Sequence, residues 1–599
     1  MRLIFAALLL AAAPSAFARA AAPAGVSVDA ARSPALAKIF RDSDEEQLTR
    51  NPLGAIGRGD LRYADRFGDY LSDASLAAQR RAAEHDLAAL SAIDRASLSP
   101  ADRVSYDVFR YQTLDTLAGL RPEMVSATIV RPIDHFSGPQ TFFPDFSSGE
   151  GTAPFKTLAD YENGVKRIDG YAAALDASIA RFREGIASGV TQPVLVVDNV
   201  IGQLDAQLAQ GVDKSPFMGP TKKYPDAIGA ADRARLSAAY AAAVQGKIDP
   251  AYVRLRDFLK TEYRPHARTS VGLGDMPGGA ALYAYLVRST TTTDLTPAQI
   301  HVLGLSEVAR IKAGMEAIRR QVGFKGTLAE FFVHLRTDPR FAPASAQAFG
   351  DDFRRVKARV ETALPRLFVL VPKGPLEIRP VPDYIAKNQA GAYYNAGTPD
   401  GSRPGVFYYN TYDLPSRQIF TEETLFLHEG EPGHHFQISL AQENAGLPAF
   451  QRFGGNTAYV EGWALYSESL GGELGLYTDP YQKFGNLNDE MLRAMRLVVD
   501  TGIHSQGWTR DRSIAYMLDN SAMGRTDATA EVERYIAIPS QALAYKVGQL
   551  TIRRLRTKAE HELGAKFDVR QFHARVLEDG ALPMAVLEAK IDGWIAATR

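Results

Sequence analysis

Three of the eleven histidines stand within eight consecutive positions, in His428-Glu429-Gly430-Glu431-Pro432-Gly433-His434-His435. Neutral imidazole is the usual nitrogen ligand of zinc, and a glutamate beside such a ligand can deprotonate a metal-activated water. The pattern points to metal-assisted hydrolysis, with His428 as a ligand and Glu429 as the general base. The familiar helical zinc motif spaces its histidines four apart, which brings both rings to one face. Here the second histidine comes six positions after the first. On a regular helix that offset is a rotation of about 240°, which would turn His434 away from His428. Pro432 removes a helical hydrogen bond and Gly433 permits an unusual turn. The spacing therefore predicts that 430–433 bulge out of the helix and return His434 to the metal. His435 is the alternative ligand: it regains the face of His428, but about 10 Å farther along a straight helix.

A third ligand is expected from a neighbouring helix. The run Asn456 to Glu468 is apolar and aromatic yet contains Glu461 and Glu468, two turns apart on one face. A carboxylate placed among Tyr459, Trp463 and Tyr466 needs a partner to offset its desolvation, and a cation suits it. Glu461 is the expected third ligand, and Glu468 is expected to accept a hydrogen bond from a ligating imidazole. A plain surface stripe is the competing account of the pair. Peptide hydrolysis builds negative charge on the carbonyl oxygen, and His504 and Tyr545, farther along, could donate to it. As isolated residues both could equally be satisfied core side chains. His561-Glu562 repeats the dipeptide, but no histidine follows within ligand reach before His573, and a solvated helix face is expected there. No Gly-x-Ser-x-Gly, phosphate-loop or dinucleotide pattern is present.

The elements that must hold these residues are mainly α. Apolar positions three and four apart predict helices over 71–98, 157–186, 232–263, 296–322 and 344–364. Ser99-Pro100 and Thr296-Pro297 carry helix-start chemistry. Segments 131–155, 213–229 and 365–416 read as irregular but packed, since each is rich in aromatic residues. Within the last, 405–411 is β-branched and aromatic and reads as a short strand. Its edge could hold an extended substrate, or it could be a small structural hairpin. Thr421-Glu422-Glu423 is expected to cap the helix that reaches His428.

Lys and Arg number 68 against 69 Asp and Glu, a net charge of −1, which gives no reason to expect nucleic acid or an anionic membrane as partner. Arg2, an apolar run and Ala16-Phe17-Ala18 read as a cleavable export signal over 1–20, and the apolar run is too short to span a bilayer. A periplasmic or secreted protein without membrane insertion is expected, with 21–599 as one helical unit. There are no cysteines, so neither a disulfide framework, a lipid-bearing cysteine nor a thiol nucleophile is available.

At HEGEPGHHFQ (428–437), YVEGWALYSE (459–468), DTGIHSQGW (500–508) and PSQALAYKVG (539–548) the chain resembles the bacterial family catalogued as domain of unknown function 885. The likeness extends to FHARVLEDGALP (572–583) and upstream to 278–310. That family looks like a relative of the helical zinc peptidases that include thimet oligopeptidase, angiotensin-converting enzyme and thermostable carboxypeptidases. The resemblance implies a two-lobed, zincin-like helical fold with a deep central cleft and a small β-element beside the metal helix. It also implies one zinc per chain on His428, His434 and Glu461, with Glu429 as base and His504 and Tyr545 at the oxyanion. A short peptide is the expected substrate, and Arg403, Arg493 and Lys546 could take its carboxylate. The rival readings are a zinc amidohydrolase acting on a modified or cell-wall amide, and a metal-stabilised binding protein without turnover.

Overall fold

The computed structural model describes residues 33–382, 386, 390–401 and 403–599. The export signal expected over 1–20 lies outside them. Among the described residues no helix is long and apolar enough to cross a membrane. The fold is mainly α, with one three-stranded sheet among the described residues.

Several helices begin where a hydroxyl side chain takes the orphaned first-turn amides. Ser72 caps Asp73–Ser91, Ser99 caps Pro100–Gly119 and Ser345 caps Ala346–Ala363. Thr157 with Asp160, and Thr296 with Gln299, form reciprocal capping boxes at Leu158–Ser188 and Pro297–Gln321. The run expected over 232–263 is continuous but contains π turns at Val244–Ile248 and Leu259–Tyr263. Each stands two residues before a proline, Pro250 or Pro265. A proline ring has no amide to donate and crowds the carbonyl of the preceding turn, so the backbone widens just ahead of it. Segment 131–155 differs from expectation: Pro139–Phe146 is helical, with Pro139 in its first turn and Phe143 and Phe146 buried.

The sheet corrects the expected strand. Its order is β1 (Leu376–Pro380), β3 (Gly405–Tyr409), β2 (Ala392–Asn395), with β3 parallel to β1 and antiparallel to β2. β3 is thus the central strand, paired on both sides, and its edge is not available to a substrate. Burial of both faces agrees with this. Phe407 packs on Phe353 at 4.8 Å and on Phe426 of the following helix at 6.1 Å between ring centroids.

Two helix pairs fix the rest of the site. The 27-residue helix Pro480–Gln506 lies along Pro297–Gln321. Thr457–Ser469 crosses Ala544–Leu563 backbone against backbone: a Cβ on Gly462 would come within 2.5 Å of the Gly548 Cα. Neither helix can yield locally, so Gly462→Ala is expected to lower stability by about 1–3 kcal/mol or more. Denaturant titration would read this as a lower midpoint, whereas an unchanged midpoint would show that the crossing tolerates the methyl.

Candidate metal centre

His428 lies at the end of the helix Glu422–Glu429, which starts without the expected cap. The Thr421 hydroxyl donates instead to the Gln418 carbonyl at 2.9 Å. After Glu429 the chain leaves the helix altogether and does not bulge within it. Gly430 (φ −97°, ψ −116°) and Gly433 (φ −78°, ψ −128°) bracket a link, and His434 opens a second helix, His434–Glu443. The Glu431–Pro432 peptide is cis. The link folds so closely under the first helix that a Cβ on Gly433 would sit 2.0 Å from the His428 carbonyl oxygen. Its Pro432 carbonyl is held from the neighbouring helix Thr457–Ser469, by Trp463 Nε1 at 2.7 Å and the Ser467 hydroxyl at 3.3 Å.

The same neighbouring helix brings in Glu461. Ligand atoms of His428, His434 and Glu461 lie within 4.8 Å of one another. Glu461 Oε2 stands 3.7 Å from His428 Nε2 and 3.5 Å from His434 Nε2, and this buried atom has no hydrogen-bond partner among the described residues. Zinc bonds of about 2.0–2.1 Å in a tetrahedron set ligand atoms about 3.4 Å apart. The donor set therefore fits a zinc ion in both chemistry and spacing. Its electrostatics agree. Burial would raise the Glu461 carboxyl, yet the facing His428 and His434 hold it well below the usual carboxylate range. Burial likewise opposes the charge on His428, but Glu461 and Glu468 together push it up to about 10. The pocket calls for a cation, which protons on imidazole supply when no metal does.

Glu468, buried two turns after Glu461, accepts from His428 Nδ1 at 2.7 Å. That bond fixes the tautomer and leaves Nε2 facing Glu461. Loss of such a partner weakens metal binding about 10–100-fold. Glu468→Gln is expected to raise the zinc Kd by that factor with the fold intact, as competition against a chromogenic chelator would show. An unchanged Kd would mean that packing alone orients the ring. Glu429 is partly exposed, lies outside the ligand set and is close enough for its charge to act on His428.

Other expected residues fall elsewhere. His435 turns to the sheet, with Nδ1 3.0 Å from the Tyr394 hydroxyl, and burial drives it down to about 4. It is outside the ligand set. Tyr545 lies beneath Arg496, 4.4 Å over its ring, and burial followed by the Glu461 charge pushes its phenol up. At neutral pH it is therefore a hydroxyl donor. His504 is a correction. The Leu273 amide donates to its Nδ1 at 3.2 Å, and its Nε2 faces the Tyr535 carbonyl at 2.9 Å. Both nitrogens are spent on backbone, and none is left for an oxyanion. Lys546 is a second correction, 0% exposed and bound to Glu490, Glu307 and Gln549 at 2.7–2.9 Å. Arg493 Nη1 donates to the Asp489 carbonyl at 3.2 Å, and two guanidinium nitrogens of Arg403 are buried without partners among the described residues. His561, expected to be solvated, is exposed. Trp463 and Ser467 escaped sequence reasoning because their partner is a main-chain carbonyl. Their spacing of four, which puts the two on one face of the helix, is the only hint of them.

The family model described as bacterial protein of unknown function, DUF885, matches residues 52–591. No curated protein matches the chain. The chain is similar to a solved structure from Colwellia psychrerythraea described as a "putative lipoprotein", at 28% identity and a TM-score of 0.83, over 94% of this chain and 99% of that one. It shares the fold of a second, a "putative lipoprotein of unknown function" from Shewanella oneidensis, at 17% identity and a TM-score of 0.69, over 92% of this chain and 99% of that one.

Proposed function

We propose that this chain, which belongs to the bacterial DUF885 family, is an exported zinc peptidase acting on short peptides held in a cleft between helical lobes. One observation carries the reading: two imidazoles and a carboxylate converge within 4.8 Å, with a partly exposed glutamate next to the first imidazole. A structural zinc site is closed by four protein ligands, and three are present here, which favours an open, catalytic position. The export part of the reading comes from the leader expected over 1–20.

His428, His434 and Glu461 would hold the metal, and Glu468 orients His428. Zinc in such a site lowers the pKa of a water and polarises a carbonyl. Glu429 takes the proton of the attacking water and later delivers it to the leaving amine. The Tyr545 hydroxyl donates to the oxygen that becomes negative. Trp463 and Ser467, through the Pro432 carbonyl, keep the link from shifting while charge develops beside it.

The test is metal content by mass spectrometry with cleavage of a mixed peptide library, before and after chelation. One zinc per chain is expected, with cleavage abolished by 1,10-phenanthroline and restored by added zinc. Zinc without cleavage of any peptide would move the reading to a modified amide or to a binding role. Absence of metal would sink the centre.

A further inference from the structure

A cavity of about 610 Å³ lies where four segments meet, and none of the three residues of the metal centre lines it. The segments are the start of Asp73–Ser91, the helix Pro122–Thr128 with the two residues after it, the end of Leu158–Ser188, and Pro277-Gly278. Sites for small molecules ordinarily measure about 300–1,000 Å³. The floor of this one is aliphatic: Ala127, Ile129, Val130 and Val190 line it and are 2–7% exposed.

The polar lining sorts by what it can still offer to a ligand. Arg181, 12% exposed, has all three guanidinium nitrogens engaged. Nε and Nη2 donate to the Leu71 carbonyl at 2.9 and 2.6 Å, Nη2 also to Asp73 Oδ1 at 2.5 Å, and Nη1 to Glu184 at 2.8 Å. The Ser126 hydroxyl donates to the Glu123 carbonyl at 3.2 Å, and the Ser188 hydroxyl to the Glu184 carbonyl at 2.9 Å. What remains on these side chains is lone pairs. Three lining carboxylates, Asp73, Glu123 and Glu184, stand against the single guanidinium of Arg181. Arg121, outside the lining, reaches Glu123 at 3.2 Å, but both partners are exposed and such a pair holds little. An anion would have to displace the ion pairs of Arg181, whereas a cation meets acceptors at once.

We propose that this cavity is a second ligand site, which takes an alkylammonium group with its tail on the aliphatic floor and its charge among the carboxylates. The floor alone would accept any apolar molecule, and exposed carboxylates alone would hold any cation weakly. Together they select a molecule that carries both parts. The site stands apart from the peptidase reading, since it uses neither zinc nor Glu429.

The experiment is calorimetric titration of the purified protein, zinc-loaded and chelated, with n-octylamine, n-butylamine, n-octanol and octanoate. Octylammonium is expected to bind at one site per chain and at least about tenfold tighter than butylammonium, because four more methylenes leave water. Octanol and octanoate should each bind at least about tenfold more weakly than octylammonium, as loss of hydrogen bonds to charged groups would give. Glu123→Gln/Glu184→Gln should weaken octylammonium by a similar factor and leave octanol unchanged. Nα-acetyl-lysinamide separates two sources of the group: binding at least as tight as butylammonium assigns it to a peptide lysine, weaker binding to a free amine. Equal affinity of octylammonium and octanol, or tightest binding of octanoate, would overturn the proposal. So would affinity independent of chain length, many weak sites in place of one, or affinity that survives the double substitution. Binding lost on chelation would put the amine on the metal and overturn it as well. Should the double variant not fold, the four-ligand comparison on the wild-type protein decides alone.

Discussion

Glu429→Gln is expected to leave one zinc per chain in place and to lower peptide hydrolysis by roughly 10²–10⁴-fold. The substitution keeps shape and removes only the ability to accept and return a proton. Glu429 lies outside the group formed by His428, His434 and Glu461, so metal affinity should not follow activity down. Glu461→Gln sets the opposite signature. It takes the charge from the one carboxylate in the group, and zinc and activity should fall together. Measured side by side, the two variants separate proton transfer from metal retention. Wild-type rates in Glu429→Gln would place the base elsewhere. Zinc loss in the same variant would make Glu429 a ligand, and the assignment of roles would have to be redrawn.

The residues that converge at the candidate centre are legible in the sequence because charge is rare among aromatics. Glu461 and Glu468 stand in an apolar helix, and such carboxylates need cationic or hydrogen-bonding partners to stay there. His434 and His435 could not be ranked on a straight helix, because neither offset matches four residues. The structure separates them by ending one helix at Glu429 and starting another at His434, so each ring takes its direction from a new axis. Other features depend on contacts far away in the chain. His504 looked available until the Leu273 amide and the Tyr535 carbonyl, 231 and 31 positions distant, took its nitrogens. β3 read as a strand from its own residues. That it is central follows only from Leu376–Pro380 and Ala392–Asn395, which are too short or too charged to read as strands alone. Helix starts are readable where a hydroxyl meets a proline, as at Ser99 and Thr296. Thr421 also brings a hydroxyl to a helix start, but it turns back to Gln418.

The link between the two histidine helices concentrates the largest structural demand on one residue. Gly433→Ala would place a methyl 2.0 Å from the His428 carbonyl oxygen and 2.3 Å from that of Leu427, neither of which can swing aside as a side chain would. Relief requires the link to move out. The Trp463 and Ser467 bonds to Pro432 resist that movement, and His434 must travel with it. The expected result is loss of stoichiometric zinc with a fall in stability of about 1–3 kcal/mol or more, read by metal analysis and thermal unfolding. Gly455→Ala is the control, since nothing lies within 4 Å of a Cβ there. If Gly433→Ala retained full zinc and an unchanged melting temperature, the tight link would not be what places His434. If it lost stability but kept zinc, His434 would be held by its own helix and not by the turn that precedes it.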